Sequence, residues 1–161
     1  MSPLAQELAP MPDSRVDVSD RVAQQYVTFR SAGGQYGAGI MQVQEIRSWQ
    51  QTAPLPNRPR AARGVLDIRG KVVEVFDLST LLGGAALEPD KGSVILVLSL
   101  LDRTVGLLVE SVSDIIQVEP GATMPVPNDS DDPAIGCMDG MVNHEGTLVG
   151  LLDLEVLLSL N

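Results

Sequence analysis

Cysteine, histidine and aromatic residues are scarce in this sequence of 161 residues, and their scarcity excludes several kinds of site. The single cysteine, Cys137, cannot form an internal disulfide, so a reducing compartment is the default. One cysteine and one histidine, His144, do not supply the ligands of a zinc site. Aromatic residues make up 3% of the chain, too few for the stacking platforms that bind sugars or single-stranded nucleic acid.

Basic residues and long apolar runs are also in short supply. Eleven Lys and Arg residues stand against 21 Asp and Glu residues, which gives a net charge of -10. Such a chain repels phosphate backbones, so neither nucleic acid nor an anionic membrane surface is expected as a partner. The longest apolar run, Val94 to Leu101, is too short to cross a bilayer, and residues 1–20 lack the pattern of a signal peptide. We expect a cytoplasmic protein that does not insert into the membrane.

No set of residues with the spacing of a catalytic site stands out. Cys137 and His144 suggest a thiol nucleophile with its base, and the many carboxylates suggest an aspartate hydrolase. However, Cys137 follows a glycine in an apolar segment, where cysteine is usually a small buried hydrophobe. The Asp-Thr-Gly or Asp-Ser-Gly loop of aspartic proteases is missing, and the acidic 128–132 loop lacks the closing glutamate of a calcium loop. We predict no catalytic, cofactor-binding or metal-ligating residue, and no enzyme activity.

What the chain does contain is a series of short, alternating apolar segments separated by glycine and proline. This pattern predicts strands along most of the chain, spaced as in small β-barrel proteins. A short helix is predicted at Leu78–Leu82, and a second one follows Asp153, whose carboxylate suits an N-cap. Residues 1–21 show no sustained period and are predicted to form a flexible tail.

The segment Gly64–Leu82 recurs about 76 positions later as Gly140–Leu158. A weaker match relates Tyr36–Ile46 to Val105–Ile115. We therefore predict two related β subdomains, at about residues 26–86 and 93–152. The first pair of segments shares these residues: Gly64, Gly70, Val73, Asp77, Leu78, Leu81 and Leu82.

The repeat also shows where the two halves differ. Arg69 corresponds to Glu145, and Ile68 corresponds to His144. Five of the eleven basic residues lie between positions 58 and 71, although the chain as a whole is acidic. A local basic cluster of this kind orients protein partners, whereas a solvated turn arginine is the simpler interpretation. Arg69, at the tip of a predicted hairpin, is the candidate functional residue of a protein-binding module.

Several motifs, in order and at the right spacing, carry a resemblance that covers about residues 25–160. They are Gln44-Glu45-Ile46, Arg63-Gly64-Val65, Ile68-Arg69-Gly70, Val75–Leu78, Val105–Asp114 and Gly150–Leu158. With these motifs the chain resembles the CheW family of chemotaxis adaptors. The resemblance implies a mainly β fold of two intertwined five-stranded SH3-like barrels with short helices. It implies a single domain over residues 22–161, whose C-terminal helix, 153–160, packs back, and it implies no catalysis.

The resemblance also implies partners. CheW-like adaptors bridge the cytoplasmic tip of chemoreceptors to the regulatory domain of the histidine kinase CheA, and so associate with membrane-bound receptor arrays through protein contacts. Other CheW-like domains, joined in rings, stay open as further partners. A pathway that controls twitching motility, biofilm formation or development stays open as an alternative to chemotaxis.

The resemblance assigns five site residues in this sequence. Arg69 matches the arginine of the family's Asn-x-Arg-Gly motif, and Glu45 matches the acid that pairs with it. Val43, Val94 and Ile115 match apolar positions associated with receptor contact. The kinase contact is expected at exposed apolar turn or strand-end residues of one barrel, which no motif assigns. The family's asparagine is replaced by Asp67, so pairing of Arg69 with Glu45 and pairing with Asp67 are both open.

Overall fold

The computed structural model describes residues 23–127 and 132–159, which form ten strands and a few short helices. The first five strands are β1 (Gln24–Ser31), β2 (Gly34–Gly39), β3 (Val43–Ser48), β4 (Ala62–Ile68) and β5 (Lys71–Asp77). The other five are β6 (Val94–Ser99), β7 (Thr104–Val109), β8 (Ser111–Val118), β9 (Met138–His144) and β10 (Thr147–Leu152). The helices are α1 (Leu78–Leu81), α2 (Pro133–Gly136), α3 (Leu154–Ser159) and a 3-10 turn at Ile40–Gln42.

The strands form two five-stranded sheets with the same internal pattern. Sheet I has the order β3-β6-β7-β5-β4, and sheet II has the order β8-β1-β2-β10-β9. Each contains one parallel pair, β5 with β7 in sheet I and β10 with β2 in sheet II, while the other pairs are antiparallel. Each sheet also has one backbone bridge from a loop to its last strand, Ala53 to Val65 and Met124 to Met141. The prediction of a mainly β fold with two five-stranded units is confirmed.

The sheets exchange strands between the two halves of the sequence. Sheet I takes β3, β4 and β5 from the first half and the hairpin β6–β7 from the second. Sheet II takes β8, β9 and β10 from the second half and the hairpin β1–β2 from the first. The ranges 26–86 and 93–152 stay a prediction about the repeat, because neither range corresponds to one sheet.

Three apolar clusters hold the sheets together. The largest contains residues from both sheets and all of the buried leucines of α3, so it joins the two sheets and the C-terminal helix. A second cluster lies within sheet I around Val75 and Ile95, and a third lies within sheet II around Val149 and Leu151. Burial of these side chains, at about 25 cal/mol per Å² of apolar surface, is the main stabilising contribution to the fold.

The sequence predicted the local elements well, with small shifts at their ends. The segment after Gly39 forms a 3-10 turn and then strand β3. The C-terminal helix begins at Leu154, and Asp153 Oδ1 accepts a hydrogen bond from the Val156 amide at 3.1 Å. Residues 1–21 and most of the 128–132 loop lie outside the described residues. Within the described ranges, no helix is long and apolar enough to span a membrane.

Candidate functional site

The tip of the β4–β5 hairpin is held by its own backbone and by Asp67. Arg69 and Gly70 both have left-handed backbone angles, with φ of 55° and 81°. Left-handed geometry at both central residues is what a two-residue hairpin turn requires, and glycine adopts it without strain. Asp67 Oδ1 accepts a hydrogen bond of 2.8 Å from the Gly70 amide, so this carboxylate serves the turn.

Arg69 pairs with Glu45. Its Nη1 lies 3.0 Å from Glu45 Oε1, which answers the choice between Glu45 and Asp67 that the sequence left open. The two partners differ in exposure: the Arg69 side chain is 77% exposed and the Glu45 side chain is 20% exposed. The carboxylate is thus a fixed part of sheet I, and the guanidinium rests on it with most of its surface in water.

Glu45 has a second cationic neighbour, Arg47, two residues further along β3. Arg47 Nη1 donates to Glu45 Oε2 at 2.9 Å, and Arg47 Nη2 donates to Gln50 at 3.2 Å. Each carboxylate oxygen of Glu45 therefore has its own arginine. Arg47 was not among the predicted site residues, although its position two residues from Glu45 in a strand places both side chains on one face.

A shallow cavity opens beside this pair, with a volume of about 210 Å³. We call it the sheet I mouth. It is lined by Gln44, Glu45, Ile68, Arg69, Lys71, Val73, Val97 and Thr104.

Sheet II has a cavity at the equivalent place, with a volume of about 230 Å³, which we call the sheet II mouth. Each lining residue corresponds, through the repeat, to one in the sheet I mouth. Asp114 occupies the position of Glu45, and Glu145 occupies the position of Arg69. His144 Nε2 lies 4.0 Å from the Asp114 carboxylate and 3.8 Å from the Glu145 carboxylate. The lining residues are Thr28, Gln35, Ser113, Asp114, His144, Glu145, Thr147 and Val149.

The three apolar site residues do not share one place with the Arg69–Glu45 pair. Val43 and Val94 are half-buried against the large core cluster, at opposite ends of the paired strands β3 and β6. Ile115 lies on β8 of sheet II and is 52% exposed. The structure thus joins Glu45 to Arg69, while Val43, Val94 and Ile115 lie on two edge strands and one inner strand.

Two of the basic residues between 58 and 71 have structural partners. Arg58 makes two hydrogen bonds to Glu74, of 2.6 and 2.8 Å. Arg63 donates to the Leu87 carbonyl at 3.0 Å and lies 3.5 Å from the Asp77 carboxylate. These contacts connect the loop before β4 and the segment of residues 85–92 to sheet I. Arg69 and Lys71 line the sheet I mouth.

The geometry around Cys137 does not favour a nucleophile. Burial, with a smaller contribution from the negative charge of Asp153, raises the pKa of the thiol. Reactive cysteines have the opposite environment, one that stabilises the thiolate. Residues 23–127 and 132–159 contain no group of three His, Cys, Asp or Glu side chains placed to hold a metal ion.

Comparison with known proteins assigns the family. The family model of the CheW-like domain matches residues 25–161. The chain belongs to the CheW family. Chemotaxis protein CheW of Rhizobium meliloti is 36% identical over 129 residues, which cover 80% of this chain and 83% of that protein. Chemotaxis protein CheW of Klebsiella aerogenes is 30% identical over 140 residues, covering 87% of this chain and 84% of that protein.

The fold agrees with a solved CheW structure. The crystal structure of the scaffolding protein TtCheW from Thermoanaerobacter tengcongensis matches with a TM-score of 0.77 and 22% identity, over 91% of this chain and 92% of that one. The CheW family consists of non-catalytic adaptors and scaffolds of chemotaxis, so this chain is an adaptor and not an enzyme.

Proposed function

We propose that this CheW-family chain couples chemoreceptors to a CheA-type histidine kinase on the cytoplasmic side of a receptor array. The observation that carries the proposal is the Arg69–Glu45 pair, an exposed guanidinium fixed on a partly buried carboxylate at 3.0 Å. A cation held in place loses little conformational freedom when a partner docks, so more of its interaction energy becomes affinity. The equivalent tip on sheet II offers Glu145, so the two hairpin tips present opposite charges to their partners.

The apolar positions extend the proposed receptor surface. Ile115 is exposed and available to an apolar stripe on a receptor helix. Val43 and Val94 are half-buried at opposite ends of the β3–β6 pair of sheet I, and we propose them as receptor-contact positions separate from Ile115.

We propose the kinase contact at the hairpin tip of one of the two sheets, for which each sheet offers a candidate. Val72 and Leu148 are 70% and 51% exposed and occupy equivalent places on β5 and β10. They fit the description of exposed apolar strand-end residues. Contacts of other CheW-like domains in rings would use the same tips.

Binding experiments test the proposal directly. The chain should bind a CheA regulatory domain and a soluble chemoreceptor tip fragment in pull-down and in titration calorimetry. Absence of binding to both at about 50 μM, a generous limit for a weak contact, would refute it.

Charge reversal at the hairpin tip tests the role of Arg69. Arg69→Glu should weaken one of the two bindings by at least about tenfold, because the surface cation is lost and a like charge faces Glu45. Glu145→Arg is the companion variant: it reverses the charge at the equivalent turn position of sheet II, and a binding that it weakens is assigned to that tip. Circular dichroism of both variants should match that of the parent, since Arg69 and Glu145 are exposed. Equal affinities for Arg69→Glu and the parent would show that the arginine is a solvated turn residue.

A further inference from the structure

The edge strands β3 and β8 differ in the residue at one equivalent inward-facing position. Along β3, half-buried and exposed residues alternate, so that Glu45 and Arg47 share the inner face. The equivalent residues of β8 are Asp114 and Ile116, and Ile116 is 4% exposed within the apolar cluster of sheet II. Sheet I therefore has a guanidinium where sheet II has an aliphatic core residue.

Arg47 is a costly residue at such a position. Its side chain is only 30% exposed, and its Nε is buried with no hydrogen-bond partner among the described residues. Desolvation of a charged group often outweighs what its ion pair returns, and apolar replacements of buried pairs are frequently neutral or stabilising. Fold stability therefore does not explain the presence of Arg47.

The contacts of Glu45 indicate what Arg47 does. Arg47 occupies Oε2 of Glu45 at 2.9 Å, while Oε1 accepts the Arg69 guanidinium at 3.0 Å. A carboxylate bound through one oxygen by a partly buried group has few orientations left. The other oxygen then points to one place, which is where Arg69 rests.

Arg47 also changes the net charge of the surface. Glu45 by itself would neutralise Arg69, but Arg47 takes up that negative charge as well. With Lys71 in the lining, the sheet I mouth has a surplus of positive charge on a chain whose net charge is -10.

We propose that Arg47 is a positioning residue: by holding Glu45 it orients Arg69, and it leaves the sheet I mouth with positive charge for an acidic side chain of the docking partner. This rests on the proposed adaptor function. A carboxylate is the group that a fixed, exposed guanidinium binds best, through paired charge-assisted hydrogen bonds.

Arg47→Ile, which copies Ile116, tests the proposal in the free protein first. Urea unfolding should show a midpoint equal to or above that of the parent. The guanidinium NMR signals of Arg69 should be resolved in the parent, because the group is held, and should average in the variant. Arg47→Met, which keeps more of the stem length, provides the same test if the isoleucine variant does not fold.

The partners then test the consequence. The binding that depends on Arg69 should weaken about tenfold in Arg47→Ile and lose much of its salt dependence, whereas Arg47→Lys should retain the salt dependence but bind more weakly than the parent. Arg58→Ile is the matched control, because it removes another arginine from a glutamate pair on sheet I. Its affinity should equal that of the parent.

The outcomes separate the two ideas. A large loss of stability in Arg47→Ile with unchanged Arg69 signals and unchanged affinity would overturn the positioning role and make Arg47 a structural residue. If the parent binds neither partner, the adaptor proposal fails, and the NMR comparison still decides whether Arg47 orients Arg69.

Discussion

The β4–β5 and β9–β10 hairpins have the same backbone and opposite tips. Arg69 and Glu145 have φ of 55° and 52°, and the glycines after them have φ of 81° and 85°. In each turn that glycine's amide donates to a side-chain oxygen three residues earlier, on Asp67 at 2.8 Å and on Asn143 at 3.0 Å. The turn constrains the backbone angles and the hydrogen-bond acceptor, but the first central residue can carry either a positive or a negative charge. The charge of this residue is therefore a property in which the two hairpin tips of an adaptor can differ.

The helix caps that follow the hairpins differ in a similar way. Asp77 is fully buried and accepts hydrogen bonds from the Ser79 and Leu87 amides and the Thr80 hydroxyl, with Arg63 at 3.5 Å. In sheet II the cap is Asp153, which accepts from the Val156 amide, and the residue equivalent to Arg63 is Asp139. One cap is the centre of a polar network, while the other faces a like charge.

The largest expected difference between equivalent substitutions in the two halves, measured as the free energy of unfolding, is at these caps. Asp77→Ala should lower the free energy of unfolding by about 3–5 kcal/mol, because it removes the ion-pair partner of Arg63 and the acceptor of two amides and a hydroxyl. Asp153→Ala should cost about 1 kcal/mol, the usual loss of a simple N-cap. Urea unfolding of the two variants measures the difference. Equal losses would mean that the Asp77 network contributes no more than an ordinary cap.

A second difference concerns the equivalent glycines Gly64 and Gly140. Gly64 has a φ of 124°, and an added Cβ would lie 2.5 Å from the Ala53 carbonyl oxygen. Gly64→Ala should therefore destabilise the protein by about 2–3 kcal/mol. At Gly140 the first obstacle is the Thr123 side chain, which can move, so Gly140→Ala should cost about 1 kcal/mol. Thermal unfolding of the two variants checks this order of stability. A Gly64→Ala variant more stable than Gly140→Ala would contradict the prediction.

The smallest expected effect on stability comes from removing the charge of Asp139. Partial burial and the negative charge of Asp153 raise the pKa of its carboxyl above the ordinary value. A raised pKa in the folded state means that ionisation opposes folding, so stability is lost as pH rises through the unfolded and then the folded pKa. Asp139→Asn should be more stable than the parent at pH 7, by less than about 1 kcal/mol at this partly exposed site, and should lose that advantage below pH of about 4.

Urea unfolding at pH 3 and pH 7 measures this difference, and Asp114→Asn, at an exposed carboxylate of the same sheet, is the control. An advantage of Asp139→Asn that is equal at both pH values would have a cause other than ionisation.

Much of the site was predictable from the sequence because its elements are local. The glycine after Arg69 predicted a hairpin turn, and the motif resemblance paired Arg69 with Glu45. The role of Asp67 was predicted less well. Its charge suggested a competitor for Arg69, but its oxygen accepts the Gly70 amide, and this short-range bond uses the carboxylate within the turn.

Arg47 shows why the rest could not be predicted. In the sequence it is one more charged residue in an alternating strand, and such residues usually face water. In the structure Arg47 pairs with Ile95 of β6 and is half-buried beside Glu45, a position that depends on a strand distant in the chain. In sheet II the equivalent Ile116 pairs with Tyr26 of β1 and belongs to the apolar cluster. The comparison of the two sheets shows this difference in environment.

The sequence by itself determined the short strands, the turns and caps, and the two related sets of hairpins, because each depends on contacts between residues close in the chain. The tertiary structure decided which hairpin joins which sheet. The parallel pairs of β5 with β7 and β10 with β2 connect distant segments, and no local propensity selects between partners of nearly identical pattern. Burial of one shared core by both sheets makes that selection, and it places the two mouths with their opposite charges on a single molecule.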